Sequence, residues 1–400
     1  MNAPEIPGRA GSAPAGATTS IALIAMAGFA SGAGMRILDP LLPLIGTDFG
    51  VPTSSVSILI AAFMITYAGG QIGTGPAGDR FGKLKVASLA LVLFGLFTVA
   101  AEFSGSLTQL AVLRALGGLV SGAVIPLLMA HIGDSVPYSE RQAVLGQFLI
   151  GNVLAQMLTG PLSGILGEYF GWRASFLVFG AFTTAIGLLL AVRLGPAMWR
   201  AAPLPGGSSG FAMYRRLLAQ PTARLLMVAA FLDGMLLFGG AFPFIASFLI
   251  EDFALSPSRA GLIVASFALG ALLYTRVARR LVVRAGEKGL LLWGGIGLGG
   301  CLLVVAAAPN WQVVAASQVT AGFLFYSFHG VLQARATEAL PEARATAVSA
   351  FAMSLFMGQT TGALVFASVM ASAGYRPAFA LAGVGMLGTA WWCRARMAVR

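Results

Sequence analysis

Apolar residues occur in long runs separated by short polar or charged breaks, and this alternation continues along nearly the whole chain. The runs fall near residues 20–45, 55–74, 84–103, 107–130, 142–166 and 173–195, then near 222–250, 257–278, 288–308, 311–334, 345–372 and 376–395. A bilayer core takes about 20 helical residues to cross, and each run reaches that length. The pattern predicts an all-α integral membrane protein with twelve transmembrane helices, numbered 1 to 12 in chain order, in two pseudo-symmetric six-helix halves over 19–195 and 222–400. Between them, 196–221 reads as a basic linker containing Pro196, Pro203 and Pro205. Residues 1–18, rich in Pro, Gly, Ala, Ser and Thr, read as a disordered cytoplasmic tail. The first apolar run is too long for a signal-peptide core and lacks a cleavage site, so it is expected to stay.

Composition agrees with that reading. Hydrophobic residues are 58% of the chain and charged residues 10%, with a mean hydropathy of +0.85, whereas soluble domains carry about 25% charged residues. The net charge of +11 does not imply a nucleic-acid partner, because the basic residues are scattered among short loops. They are distributed by side instead. With both termini cytoplasmic, twenty of the 25 Lys and Arg residues lie in cytoplasmic segments, while Asp48, Glu102, Glu168, Glu251 and Asp252 lie outside. Positive charge retained inside predicts that orientation, in a cell inner (plasma) membrane. Cys301 and Cys393 lie in apolar runs, and His131 and His329 are too isolated for a ligand cluster, so neither a metal nor a cofactor is expected. Gly73-Thr74-Gly75-Pro76-Ala77-Gly78 fits G-x-G-x-x-G formally but ends an apolar helix and carries a proline, so it is discarded. No G-x-x-x-x-G-K-[ST] loop occurs, so active transport would draw on an ion gradient or a partner.

The halves repeat. Gly171-Trp172-Arg173-Ala174-Ser175-Phe176 matches Gly374-Tyr375-Arg376-Pro377-Ala378-Phe379 at an offset of 203, and Asp48-Phe49 matches Asp252-Phe253 at 204. Arg80 and Gly82 fall on Arg284 and Gly286, but Asp79 falls on Val283.

The candidate chemistry lies in the charges within the apolar runs. Each costs at least about 2.5 kcal/mol to insert, so it normally faces a partner or a cavity. Arg36 and Asp39 on helix 1 are three residues apart and share a face. Arg114 on helix 4 lies at a depth similar to Asp39, on the order of 10 Å from the outer surface, so the two can meet if those helices are neighbours. The pair is read as coupling machinery or as a static packing contact. Asp233, near the middle of helix 7, has no partner in its own helix. It is either a second proton or cation site or a group satisfied by backbone and water. His329 on helix 10 is read as a titrating or, more simply, a packing histidine. Gln147, Asn152, Gln156 and Gln359, with Tyr67, Tyr326 and His329, are candidates to line a largely apolar substrate cavity.

One loop suggests a family. Gly75, Asp79, Arg80, Gly82, Lys83 and Lys85 spell G-x-x-x-D-R-x-G-K-x-K in what reads as a hairpin between helices 2 and 3. It resembles the signature loop of the major facilitator superfamily. Asp39-Pro40-x-x-Pro43 and Arg114 resemble helix-1 and helix-4 motifs of its proton-coupled drug exporters. Gly160-Pro161-x-x-Gly164 on helix 5 is similar to the core of its antiporter motif, though Gln156 and Ile165 stand where the longer motif has glycine. The resemblance implies a transporter and not an enzyme, moving a small amphipathic or apolar molecule outward in exchange for protons. It also implies that Asp79 faces the start of helix 11, with Arg80 and Lys83 completing a cytoplasmic latch. Proton-driven uptake, and a transport-inactive sensor or assembly protein, are the rival readings.

Overall fold

The computed structural model describes residues 21–136, 138–200, 210–340 and 344–397, and every regular element among them is helical. Helix 1 consists of Ile21–Arg36 and Leu42–Phe49, and helix 2 of Thr53–Val56 and Ile58–Phe81. Helix 3 is Lys83–Glu102, helix 4 is Leu107–Ser121 with Val124–Ser135, helix 5 is Tyr138–Phe170 and helix 6 is Trp172–Arg200. Helix 7 runs through Pro221–Asp233, a π-helical stretch Gly234–Ala241 and Phe242–Glu251. Helix 8 is Pro257–Ala265 continued by 267–285, and helix 9 is 287–306, with Gly286 dividing them. Helix 10 is Trp311–Glu338, helix 11 is Arg344–Ala373 and helix 12 is Tyr375–Arg396.

Among the described residues, seven helical stretches are by length and hydropathy alone able to cross a membrane, one of them containing helices 8 and 9 together. Helix 1 does not qualify because it is broken into segments of 16 and 8 residues, where Pro40 removes an amide donor and residues 37–41 form turns. Helix 10 carries Ser317, Gln318, Ser327 and His329, all buried. Its hydropathy is low because its polar residues face protein and not lipid.

Two boundaries differ from expectation. Gly75–Phe81 is no hairpin: helix 2 continues through it, with Gly82 N–H donating to Gly78 C=O at 2.9 Å. The turn is confined to Gly82 at φ +92, and its repeat partner Gly286 has φ +64. Both positions lie in the region that a side chain disfavours. The linker is also more regular than expected. Helix 6 extends to Arg200, and a short helix, Gly210–Ala219, buries Leu217. Residues 1–18, and the linker between 201 and 209, lie outside the described residues.

The repeat is physical. Asn310 caps helix 10 by accepting from Val313 N–H at 3.1 Å, as Ser106 caps helix 4 by accepting from Gln109 N–H at 3.2 Å. Arg173 donates to the Glu102 and Ser104 carbonyls at 3.0 and 3.1 Å and to Asp48 Oδ2 at 2.6 Å. Arg376 donates to the Ala306 and Ala308 carbonyls at 3.1 and 3.0 Å and pairs with Asp252 at 3.7 Å. Each arginine ties the end of the third helix in its half to the end of the first. We call this end of the bundle the clamp end, and the opposite one, with Gly82 and the linker, the linker end.

The halves meet along two seams, helix 2 against helix 11 and helix 5 against helix 8. The second is built for close approach. A Cβ on Gly164 would stand 2.5 Å from the Pro257 carbonyl oxygen, and one on Gly261 would stand 2.6 Å from that of Gly160.

Candidate functional site

The break in helix 1 places Arg36 at the end of one segment and Asp39 in the turn that follows, both buried. Their charged groups are 3.5 Å apart, long for a hydrogen bond. Arg36 makes a better bond elsewhere: its Nε donates to Gln156 Oε1 of helix 5 at 2.6 Å. Its guanidinium also lies over two rings of helix 7, with Phe238 and Phe242 centroids at 4.7 and 4.4 Å. Arg36 therefore touches both halves.

Arg114 is buried in helix 4 but makes no ion pair with Asp39. It donates to the Gly34 carbonyl at 2.9 Å and lies over the Phe63 ring at 4.1 Å, while its Nε has no partner. The expected direct pairing is corrected to a through-space attraction, because the Gly34 carbonyl and Phe63 hold the guanidinium short of the carboxylate. Asp39 is thus ion-paired with Arg36 at 3.5 Å and makes no direct pair with Arg114.

Asp233 is fully buried, and the expectation that it stands alone is overturned: His329 Nδ1 lies 2.6 Å from its Oδ2. The other oxygen, Oδ1, has no partner. His329 stacks on Phe325 at 4.7 Å and leans on Phe351 at 5.6 Å. Phe325 also meets Phe238 edge-on at 4.8 Å, so an unbroken row of rings connects His329 to the Arg36 guanidinium. Asp233 closes the first segment of helix 7, immediately before the π-helical stretch. Such stretches are frequent at functional sites.

The other candidates disperse. Asn152 packs on Gly32 of helix 1, where an added Cβ would meet its Oδ1 at 2.5 Å. The Gln359 backbone backs Gly239 of the π-helical stretch. Tyr67 meets Phe356 across the seam of helices 2 and 11 at 4.6 Å, and Tyr326 packs between Phe325 and Tyr274. Gln147 is exposed and makes none of these contacts. Gly160, Pro161 and Gly164 form the seam with helix 8. At the linker end, Lys83 pairs with Asp134 of its own half, and Arg80 is exposed over the Phe81 ring at 5.2 Å. Gly75 is part of helix 2, and the side chain of Asp79 lies outside what the structure describes.

Sequence reasoning missed the Asp233–His329 pair and the contacts across the clamp end. Depth counted along the runs would not have paired Asp233 with His329, since Asp233 is 11 residues from the start of 222–250 and His329 is 5 from the end of 311–334. At the clamp end, Glu251 accepts from Thr53 Oγ1 at 2.5 Å and from the Tyr375 hydroxyl at 2.9 Å. Glu168 accepts from Ser258 N–H at 3.1 Å, and these hydrogen bonds hold its carboxyl below the usual carboxylate range. Two carboxylates thus bridge the halves at this end.

Comparison with known proteins agrees with this architecture. The chain is 28% identical over 338 residues to YceJ, an MFS-type transporter of Bacillus subtilis (strain 168), covering 84% of this chain and 85% of that protein. It is 29% identical over 166 residues to the 4-hydroxybenzoate transporter PcaK of Pseudomonas aeruginosa, covering 42% and 37%. Among solved structures, a bacterial homologue of the human lysosomal transporter Spinster, inward-facing and occupied, superposes with a TM-score of 0.79 at 17% identity over 97% of this chain and 98% of that one. A D-xylose–proton symporter gives 0.75 at 14% identity, over 94% and 97%. The family model "Major Facilitator Superfamily" matches residues 24–248 and 226–398. The chain is a multi-pass membrane transporter and belongs to the major facilitator superfamily.

Proposed function

We propose that this transporter exports a small amphipathic or apolar molecule in exchange for protons by alternating access. The linker end and both termini face the cytoplasm in this reading, as the Lys and Arg distribution supports. The observation that carries it is the Asp39 carboxyl, 3% exposed and paired with one arginine only, Arg36, at a loose 3.5 Å. With a guanidinium at hand the carboxylate stays ionised. Parted from both, in surroundings poor in water, it takes up a proton. A rocking motion that changes its partners makes proton affinity depend on conformation, and protonation then shifts the conformational population. Asp233 with His329 is a second candidate proton site in the other half. The likeness of Gly160-Pro161-x-x-Gly164 to the antiporter motif supports export.

Vesicles containing the reconstituted protein, a pH jump and a transported dye test the reading. Wild type should accumulate dye against its gradient, while Asp39→Asn should fold and exchange dye downhill only. Accumulation by Asp39→Asn would make Asp39 structural and move attention to Asp233.

A second reading, uptake with protons, keeps the same residues. The relative that carries 4-hydroxybenzoate favours a small aromatic acid as its cargo, which two buried arginines would suit. In vesicles oriented as in the cell, an inward proton gradient empties the vesicle of an exported compound and fills it with an imported one.

A further inference from the structure

Arg36 is tied to the first half through Asp39 and Gln156, and to the second through Phe238 and Phe242. No other described arginine stacks on rings across the two halves. A guanidinium lying against two neighbouring rings is held by their negative quadrupoles, and most strongly where water is excluded. Here those faces and Gln156 take the guanidinium, leaving Asp39 at 3.5 Å. We propose that Arg36 is a positioning residue through which helix 7 sets the proton affinity of Asp39, an inference that rests on the proton reading above.

When the halves rock and helix 7 shifts against helix 1, Arg36 loses both rings together. Its remaining partners are then Gln156 and the Asp39 carboxylate one turn away, and since only the carboxylate is charged, the freed guanidinium closes on it and holds it ionised. With the rings engaged, as here, the Arg36–Asp39 ion pair is held open at 3.5 Å, and in that arrangement the carboxyl takes up a proton more readily than with the guanidinium closed on it. Linkage requires the reverse as well: protonated Asp39 releases Arg36 to the rings and favours the conformation closed at the clamp end. For an exporter that sign is correct, because a proton taken up outside then drives return to the state open to the cytoplasm.

The other groups acting on this pair are few. Arg114 of helix 4 attracts Asp39 through space, and the Tyr326 phenol of helix 10 acts on Arg36. Helices 2 and 3 present the Phe63 and Phe94 rings, in contact with each other at 6.0 Å, and helix 5 presents Gln156. The next titratable pair, Asp233 and His329, lies beyond Phe325.

The proton itself is the probe. Spin labels at Gly105→Cys and Pro309→Cys, exposed loop positions of the two halves at the clamp end, report its opening in a Cys301→Ala, Cys393→Ala background in lipid nanodiscs. Electron–electron distances recorded from pH 5 to 9 should show the closed population growing as pH falls. Phe238→Leu with Phe242→Leu leaves Arg36 on Asp39, so the midpoint should move to lower pH by about one unit, a tenfold loss of proton affinity. Arg36→Lys keeps the charge but loses the flat stacking surface. It should move the midpoint the same way and serves if the ring variant does not fold. An unmoved midpoint in the variant that folds, with pH dependence abolished by Asp39→Asn, overturns the role of Arg36 and leaves the proton reading standing. Dependence that survives Asp39→Asn overturns both.

Discussion

At the scale of single residues, what matters is which polar group meets which. Asp233 and His329 are each costly alone in a membrane helix but satisfy one another at 2.6 Å. Removing one partner strands the other's buried polar group, which costs about 1–3 kcal/mol, whereas replacing both by apolar residues can be nearly neutral. His329→Leu should therefore unfold far more easily than Asp233→Leu/His329→Leu, as thermal unfolding in detergent will show. Equal loss in both would mean that the pair acts through packing and not through charge. Arg114 poses a different test. Its guanidinium donates to the Gly34 carbonyl and lies over Phe63 with Nε unpartnered, and Arg114→Ala should lower transport much further than it lowers expression. Near-normal transport by this variant would remove Arg114 from the coupling machinery.

At the scale of elements, the repeat gives paired predictions of opposite sign. The Arg173 guanidinium, donating to Asp48, holds that carboxyl below the usual carboxylate range. The resulting stability is present above the unfolded value, near ~4, and is lost as pH falls through the lower folded value. Asp48→Asn should cost about 1 kcal/mol or less at pH 7, and the difference from wild type should vanish in acid. In the other half, burial pushes the Asp252 carboxyl up despite Arg376. Asp252→Asn should then be neutral or stabilising at pH 7, and thermal melts of the two variants across pH would expose any failure of this asymmetry. Where helices 5 and 8 meet, Gly164→Val has no room against the Pro257 carbonyl and should prise the clamp end open. Cysteine labelling at that end should speed up, and unchanged labelling would mean that the seam yields elsewhere.

At the scale of the whole molecule, the ends are closed by different chemistry. Glu251 and Glu168 bridge the halves at the clamp end. At the linker end the ion pairs of the described residues lie within each half, Lys83 with Asp134 in the first and Glu287 with Arg335 in the second. Position 287 is the repeat partner of Lys83, so the contact is kept with its charge reversed. If Asp79 faces the start of helix 11, its carboxylate is stabilised by that helix terminus when the linker end is closed. Asp79→Asn should then favour the state open at the linker end. Inner-face cysteines would label faster, and unchanged rates would exclude the latch.

The twelve membrane-spanning runs and the glycine turns at Gly82 and Gly286 were legible in the chain, because each answers a local demand, and the repeat around Arg173 and Arg376 was visible although their contacts were not. A run of 20 apolar residues is needed wherever the solvent is lipid, and a sharp turn needs glycine wherever it falls. That Arg36, Asp39, Arg114 and Asp233 were unusual was also legible, since a charge at membrane depth is anomalous without any knowledge of its neighbours. Their partners were not. Asp39 and Arg114 were matched by depth, yet the Gly34 carbonyl and the Phe63 ring hold them apart. Asp233 and His329 are separated by 96 residues and meet because helices 7 and 10 turn those faces toward one another. Depth along a helix is written in residue number, but rotation about its axis is set by the packing of every neighbour. That rotation, decided by the assembled bundle, placed Arg36 between Phe238 and Phe242.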